Sequence, residues 1–168
     1  MNRAIRVVLA FLLILSIFSA VACSGERVFE HCELGIRLPR AFKEKEAREG
    51  FDLEASDGHI SVGITRFSFD AVIKDGILAT HTPLKFAEVY QGLIDSGTVG
   101  PLRESGDIPY FIYRESAAAG DIFFMPTFYR TPYAYFVITF VSPSDITESM
   151  RDELLGYAKT VFVDPKYV

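Results

Sequence analysis

From Val7 to Phe18 the chain is apolar at every position but Ser16, and from Cys32 onward the apolar residues become periodic. Cys32, Leu34, Ile36 and Leu38 alternate with Glu33, Gly35 and Arg37, the spacing of a half-buried strand, and Pro39 ends it. The polar stretch Lys43 to Glu49 reads as a helical turn or a loop. Phe51, Leu53 and Ala55 then alternate with Asp52, Glu54 and Ser56, and Ile60, Val62 and Ile64 resume the alternation after Asp57-Gly58. Asp-Gly between two alternating runs predicts a tight hairpin, because the favoured turn needs positive φ at its central residues.

Helical spacing appears in three places. Asp70 to Lys74 predicts a short helix ended by Asp75-Gly76. Thr82 as N-cap and Pro83 at the first helical position start a better one, with Phe86, Val89 or Tyr90, and Leu93 as its apolar stripe and Gly97 as a left-handed cap. The third begins at Pro143 to Asp145 and carries Ile146, Met150, Leu154, Tyr157 or Ala158, and Val161 on one face. Between the last two lie four strand-like runs, Val99 to Glu104, Tyr110 to Glu115, Ile122 to Tyr129 and Tyr133 to Val141. Ser105-Gly106-Asp107, Ala119-Gly120-Asp121 and Thr131-Pro132 are turns between them. Hairpin-linked strands with helices between and after them predict an α+β domain whose largely antiparallel sheet is covered by helices.

The N-terminal apolar run has a different meaning. It follows Arg3 and Arg6 and leads into the small residues Ser19 to Ala22, the layout of an export signal. At about 16 residues it is shorter than the ~20 that span a bilayer, which argues against an uncleaved anchor. Ala20-Val21-Ala22-Cys23 resembles the lipobox of bacterial lipoproteins, with Ala20 where Leu is most frequent. The resemblance implies cleavage between Ala22 and Cys23 and attachment of lipid, palmitate included, at Cys23. Residues 1–22 are then the signal peptide, 23–27 a short tether and 28–168 one domain. Ser24 after the cysteine, rather than Asp, leans towards the outer membrane in a two-membrane organism, with the domain facing the periplasm or exterior of the cell envelope. The competing reading is a soluble secreted domain closed by a Cys23–Cys32 disulfide.

The order of elements carries a second resemblance. A short strand ending in Leu38-Pro39 with Phe42 soon after, an early hairpin, a helix, an aromatic strand ending in Tyr135-Phe136-Val137-Ile138-Thr139-Phe140, and a final helix running into Thr160-Val161-Phe162 resemble the PsbP/DcrB-like α/β/α sandwich over Val28 to Val163. Members of that superfamily include a photosystem accessory subunit, a Ran-binding import factor and bacterial envelope lipoproteins. The resemblance implies binding or assembly rather than a reaction, and no shared site motif exists from which a functional residue could be carried over.

Charge and chemistry narrow the picture further. The net charge is −5, and removal of Arg3 and Arg6 with the signal takes the mature part to −7. An acidic domain without a basic run does not neutralise phosphates, so nucleic acid is excluded as a partner. No nucleophile elbow, phosphate-cradling loop or dinucleotide fingerprint is present. His31, His59 and His81 lie without metal-ligand spacing, and neither a metal nor a cofactor is implied. His31 and Cys32 adjoin, but strand neighbours point to opposite faces and Cys32 falls in register with the apolar row, so a buried, inert thiol is expected. Asp52, Glu54 and Asp57 are expected on a solvated strand face, calcium being the alternative. Asp145, Glu148, Asp152 and Glu153 are expected on the wetted face of the last helix, near its N-terminus.

Tyr133 and Tyr135 share one face of a strand whose other face holds Phe136, Ile138 and Phe140, the pattern of a central strand covered on both sides. The alternative is a groove lined by Tyr113, Tyr129, Tyr133 and Tyr135 with Arg114 or Arg130, residue types that binding surfaces favour. The expected function is that of a non-catalytic, membrane-anchored envelope lipoprotein that contacts an envelope protein or a small ligand. An envelope enzyme with a dispersed site is the alternative.

Overall fold

In the computed structural model, residues 25–95, 97–118 and 120–167 are described; the stretch expected to be a signal peptide and Cys23 lie outside them. A three-stranded antiparallel sheet is built from β1 (Glu26–His31), β2 (Leu34–Pro39) and β12 (Phe162–Val163), in the order β1-β2-β12. The main antiparallel sheet has nine strands: β3 (Lys43–Lys45), β4 (Leu53–Ser56), β5 (Ser61–Ser68), β6 (Thr98–Val99), β7 (Arg103–Ser105), β8 (Ile108–Tyr110), β9 (Tyr113–Ala117), β10 (Gly120–Arg130) and β11 (Ala134–Ser142). Its order is β3-β4-β5-β11-β10-β8-β7, with β9 also on β10 and β6 on β9. The helices are α1 (Phe69–Val72), α2 (Pro83–Gly92) and α3 (Glu148–Ala158).

β11 is the centre of the molecule and is buried along its whole length. Its alternation splits the core in two. Phe136, Ile138 and Phe140 pack with Leu154, Leu155 and Ala158 of α3 and with Phe29, Leu34, Ile36 and Leu38 of the small sheet. Tyr135 and Val137 pack on the other face with Val72 of α1 and with Phe86 and Ala87 of α2. The α+β expectation, with helices covering both faces of a largely antiparallel sheet, holds. The Asp57-Gly58 hairpin is present as β4–β5, Gly58 having φ +97° and Asp57 Oδ1 accepting from the His59 and Ile60 amides at 2.8 Å each. Thr82 caps α2 by accepting from Lys85 N at 3.2 Å, and Thr147 caps α3 by accepting from Met150 N at 3.3 Å.

Several expectations are corrected. The run through Cys32 is two strands: β1 pairs with β2 from Glu26↔Pro39 to His31↔Leu34, with Cys32 and Glu33 as a two-residue turn. β1 starts at Glu26, inside the stretch read as tether. Cys32 takes φ +52°, the positive value that the first turn position demands, and its side chain is exposed rather than buried. Lys43–Lys45 is a strand, not a helical turn. Glu54 is fully buried, because Arg48 and Lys45 fold over its carboxylate. α2 ends at Gly92, and Leu93 is 57% exposed rather than part of the apolar stripe. Gly97 does not cap it; its φ of +80° instead lets the chain pass the Arg114 carbonyl, which any Cβ there would strike.

Candidate functional site

The main sheet is not continuous beside β10. Phe124 pairs with Tyr113 of β9 and Thr127 with Tyr110 of β8, so β10 changes partner opposite Phe111-Ile112. Pro126, which has no N–H to donate, lies at that change. Gly100-Pro101 breaks the predicted strand Val99 to Glu104 into β6 and β7 at the same level, and Gly100 N donates to the Ile112 carbonyl at 2.8 Å. A Cβ on Gly100 would stand 2.9 Å from that oxygen, so the close approach needs glycine.

The divided sheet leaves an open cleft of about 430 Å3, a size that accepts a small ligand or a protruding side chain. Tyr110, Ile112 and Phe123 give it an apolar floor, and Arg103, Arg114 and Asp145 form its polar rim. Arg114 is held by Asp121 at 3.2 Å and by Thr98 Oγ1 at 3.4 Å. Arg103 and Asp145 take part in no side-chain hydrogen bond or ion pair among the described residues. Two unengaged opposite charges beside apolar floor residues provide orientation and contact area together. Sequence reading placed Arg114 here but missed Arg103 and gave Asp145 to the wetted face of a helix; the break at Gly100-Pro101 was the available signal.

The six residues expected to share one groove are spread over the molecule. Tyr113 and Arg114 stand at the cleft, where burial holds the Tyr113 hydroxyl well above its ordinary pKa and its ring stacks on Phe124 at 4.8 Å. Tyr129 faces α3 and donates to the Ala158 carbonyl at 2.9 Å; burial raises its pKa too. Tyr135 is fully buried on the opposite face and donates to the carbonyls of Leu78 at 2.6 Å and His81 at 2.8 Å. Arg130 clamps the Ala79 carbonyl, and Tyr133 lies in the β10–β11 turn, 55% exposed. Tyr129 and Tyr135 are structural; Tyr113 with Arg114 and Tyr133 with Arg130 mark separate surfaces.

A second cavity, of about 480 Å3, lies between the β4–β5 tip and α3. Several of its polar groups are engaged with one another, Ser142 with Ser144 among them. Tyr157 donates to Glu153, and burial, then the Glu153 and Asp57 carboxylates, push its hydroxyl up to about 12.

Cys32 Sγ lies 3.4 Å from His31 Nε2, which corrects the expectation that the two side chains cannot meet. The turn, not the strand, sets their directions. Asp52 Oδ2 lies 3.7 Å from that same Nε2. A nucleophile–base–acid relay uses both ring nitrogens, one for each partner, so this trio is not arranged as one. Beneath it Glu33, also buried, accepts from Arg66 through both carboxylate oxygens at 3.1 to 3.3 Å and from Thr131 at 3.1 Å. Burial alone would raise the Glu33 pKa, but those donors outweigh it and hold it below the ordinary value. Among the described residues no group of three His, Cys, Asp or Glu side chains is placed to hold a metal.

Cys23 lies outside the described residues, and with it the alternative Cys23–Cys32 pairing.

No family model matches the sequence, and no curated protein matches it. The fold does have counterparts among solved structures. The cyanobacterial PsbP (CyanoP) of Synechocystis sp. PCC 6803 is similar at a TM-score of 0.52 and 8% identity, over 84% of this chain and 94% of that one. The Ran-binding protein Mog1p of Saccharomyces cerevisiae is similar at 0.51 and 10% identity, over 83% and 96%. A Bacteroides thetaiotaomicron protein reaches 0.50 at 12% identity, this chain spanning 50% of its length. The architecture is thus the PsbP/Mog1-like fold, as the order of elements implied.

Proposed function

We propose that the chain is a lipid-anchored protein of the bacterial cell envelope whose folded part acts by contact with another molecule rather than by catalysis. Support for the anchor comes from sequence alone: the basic start, the short apolar run and Ala20-Val21-Ala22-Cys23. A single acyl chain binds a membrane reversibly and two or more hold it firmly, so a multiply acylated Cys23 keeps the domain at the bilayer surface.

The observation that carries the binding role is the cleft, with unengaged Arg103 and Asp145 beside an apolar floor. The same fold in a protein described as Ran-binding supports contact with a macromolecule as the class of role. A photoreactive residue in place of Pro101, which lines the cleft and leaves Arg103 and Asp145 intact, tests it in native membranes. One discrete adduct is expected, absent when the photoreactive residue replaces Lys74 beyond α1, and reduced when Cys23→Ser frees the protein from the membrane. Absence of any adduct at position 101, or equal labelling from both positions, contradicts the reading.

A further inference from the structure

We infer that, resting on the proposed lipidation of Cys23, one end of the domain is seated against phospholipid headgroups and the opposite end is held outward. The seated end is built by Gly25, Arg40 and Ala41, and the outward end by Cys32 and Tyr133.

Covalent reach carries the argument. Ser24 alone separates Cys23 from Gly25, so the acylated residue stands within about 8 Å of Gly25, two trans peptide steps away. Gly25 belongs to the folded body: its carbonyl accepts from Arg40 N at 3.0 Å. The headgroup layer is itself about 5–8 Å deep on each side of the hydrocarbon, so a tether this short leaves the Gly25 end on or in it. That end is continuous with Phe42, whose carbonyl accepts from Arg27 at 3.5 Å, and with the β4–β5 tip, since Phe42 and His59 line one cavity.

The groups at this end suit an interface. Arg27, Arg40 and Lys43 are exposed there and hold no ion pair among the described residues, while Glu26 and Glu44 share the surface. With Asp57 of the β4–β5 tip these charges balance, so tether length rather than attraction sets the orientation. The β1–β2 ladder then carries the chain about 20 Å away from this end at about 3.3 Å per residue. At its far end the Cys32-Glu33 turn is fixed to the β10–β11 turn by Glu33 and Thr131. Tyr133 and Leu78, 55% and 47% exposed, stand at that end, with the Arg130 clamp on Ala79 beside them.

The chain has no tryptophan, so Ala41→Trp and Tyr133→Trp each supply a single emitter at an exposed site, and His59→Trp supplies a second one near the seated end. The full-length protein, processed in cells and extracted from membranes, is placed in phosphatidylcholine vesicles containing a nitroxide-headgroup lipid. Emission from Ala41→Trp and His59→Trp is expected to be lost and that from Tyr133→Trp retained. Quenching of Tyr133→Trp equal to or stronger than that of Ala41→Trp overturns the orientation and leaves the anchor standing. Failure of the wild-type protein to float with the vesicles overturns both.

Discussion

Glu33 is 3% exposed, and the side chains that reach its carboxylate are donors from distant parts of the chain, Arg66 from β5 and Thr131 from the β10–β11 turn. Glu54 is the second such carboxylate, wrapped by Arg48 and Lys45. Burial raises both pKa values, yet the donors lower them further, so both stay below the ordinary 4.5. A carboxyl with a depressed folded pKa contributes stability above its unfolded value and loses it as the pH falls through the folded one. Urea unfolding at a series of pH values is therefore expected to show stability falling below about pH 5, and Glu33→Gln to flatten that fall. At neutral pH, Glu33→Gln is expected to cost about 3 kcal/mol, since Arg66 loses its charged partner. Cys32 is the residue most misjudged from sequence. The alternation Cys32, Leu34, Ile36 runs on through it, and no Gly, Asn or Pro marks the turn, so only the positive φ of the folded chain reveals the reversal. Its thiol is expected to react with a disulfide reagent in the native protein; reaction only after unfolding would contradict its exposed position.

Local chemistry decided the elements that were legible. Asp57-Gly58 and Thr82-Pro83 act on backbone no more than three residues away, so their hairpin and helix start are where the sequence puts them. The turn at Ser105-Gly106-Asp107 was legible, but the break inside each of the runs Val99 to Glu104 and Tyr110 to Glu115 was not, because both breaks arise where β10 changes partner, a contact with residues more than ten positions away. α2 shows how packing outweighs its periodicity: Phe86 is fully buried among Phe67, Phe128 and Tyr135, while Leu93, two notional turns on, is exposed. Phe86→Ala is expected to cost about 3–5 kcal/mol in chemical denaturation. Tyr135→Phe removes the donor shared by the Leu78 and His81 carbonyls and is expected to cost about 1–2 kcal/mol. A loss below experimental error would mean that the 77–82 segment is held by other contacts.

At the scale of the molecule, the sheet that sequence analysis foresaw is in place, and its aromatic central strand is covered on both faces as the alternation required. The proposed groove was less legible: tyrosines spaced two apart look alike in sequence whether they face a core or a cleft, and Tyr129 and Tyr135 face cores on opposite sides. The Cys32–Tyr133 end is separated from Gly25 by the length of β1, whereas the Arg103–Asp145 cleft opens where Phe123 pairs with Ser142, level with the β4–β5 tip. Both readings of function need the domain held at a bilayer by its first mature residue. The intact mass and N-terminal sequence of the protein extracted from native membranes measure that directly. The expected product begins at Cys23 and is heavier than its sequence by a thioether-linked diacylglyceryl group, with or without an amide-linked acyl chain. A product that begins at Cys23 with a free thiol, or that keeps Met1 to Ala22, contradicts it.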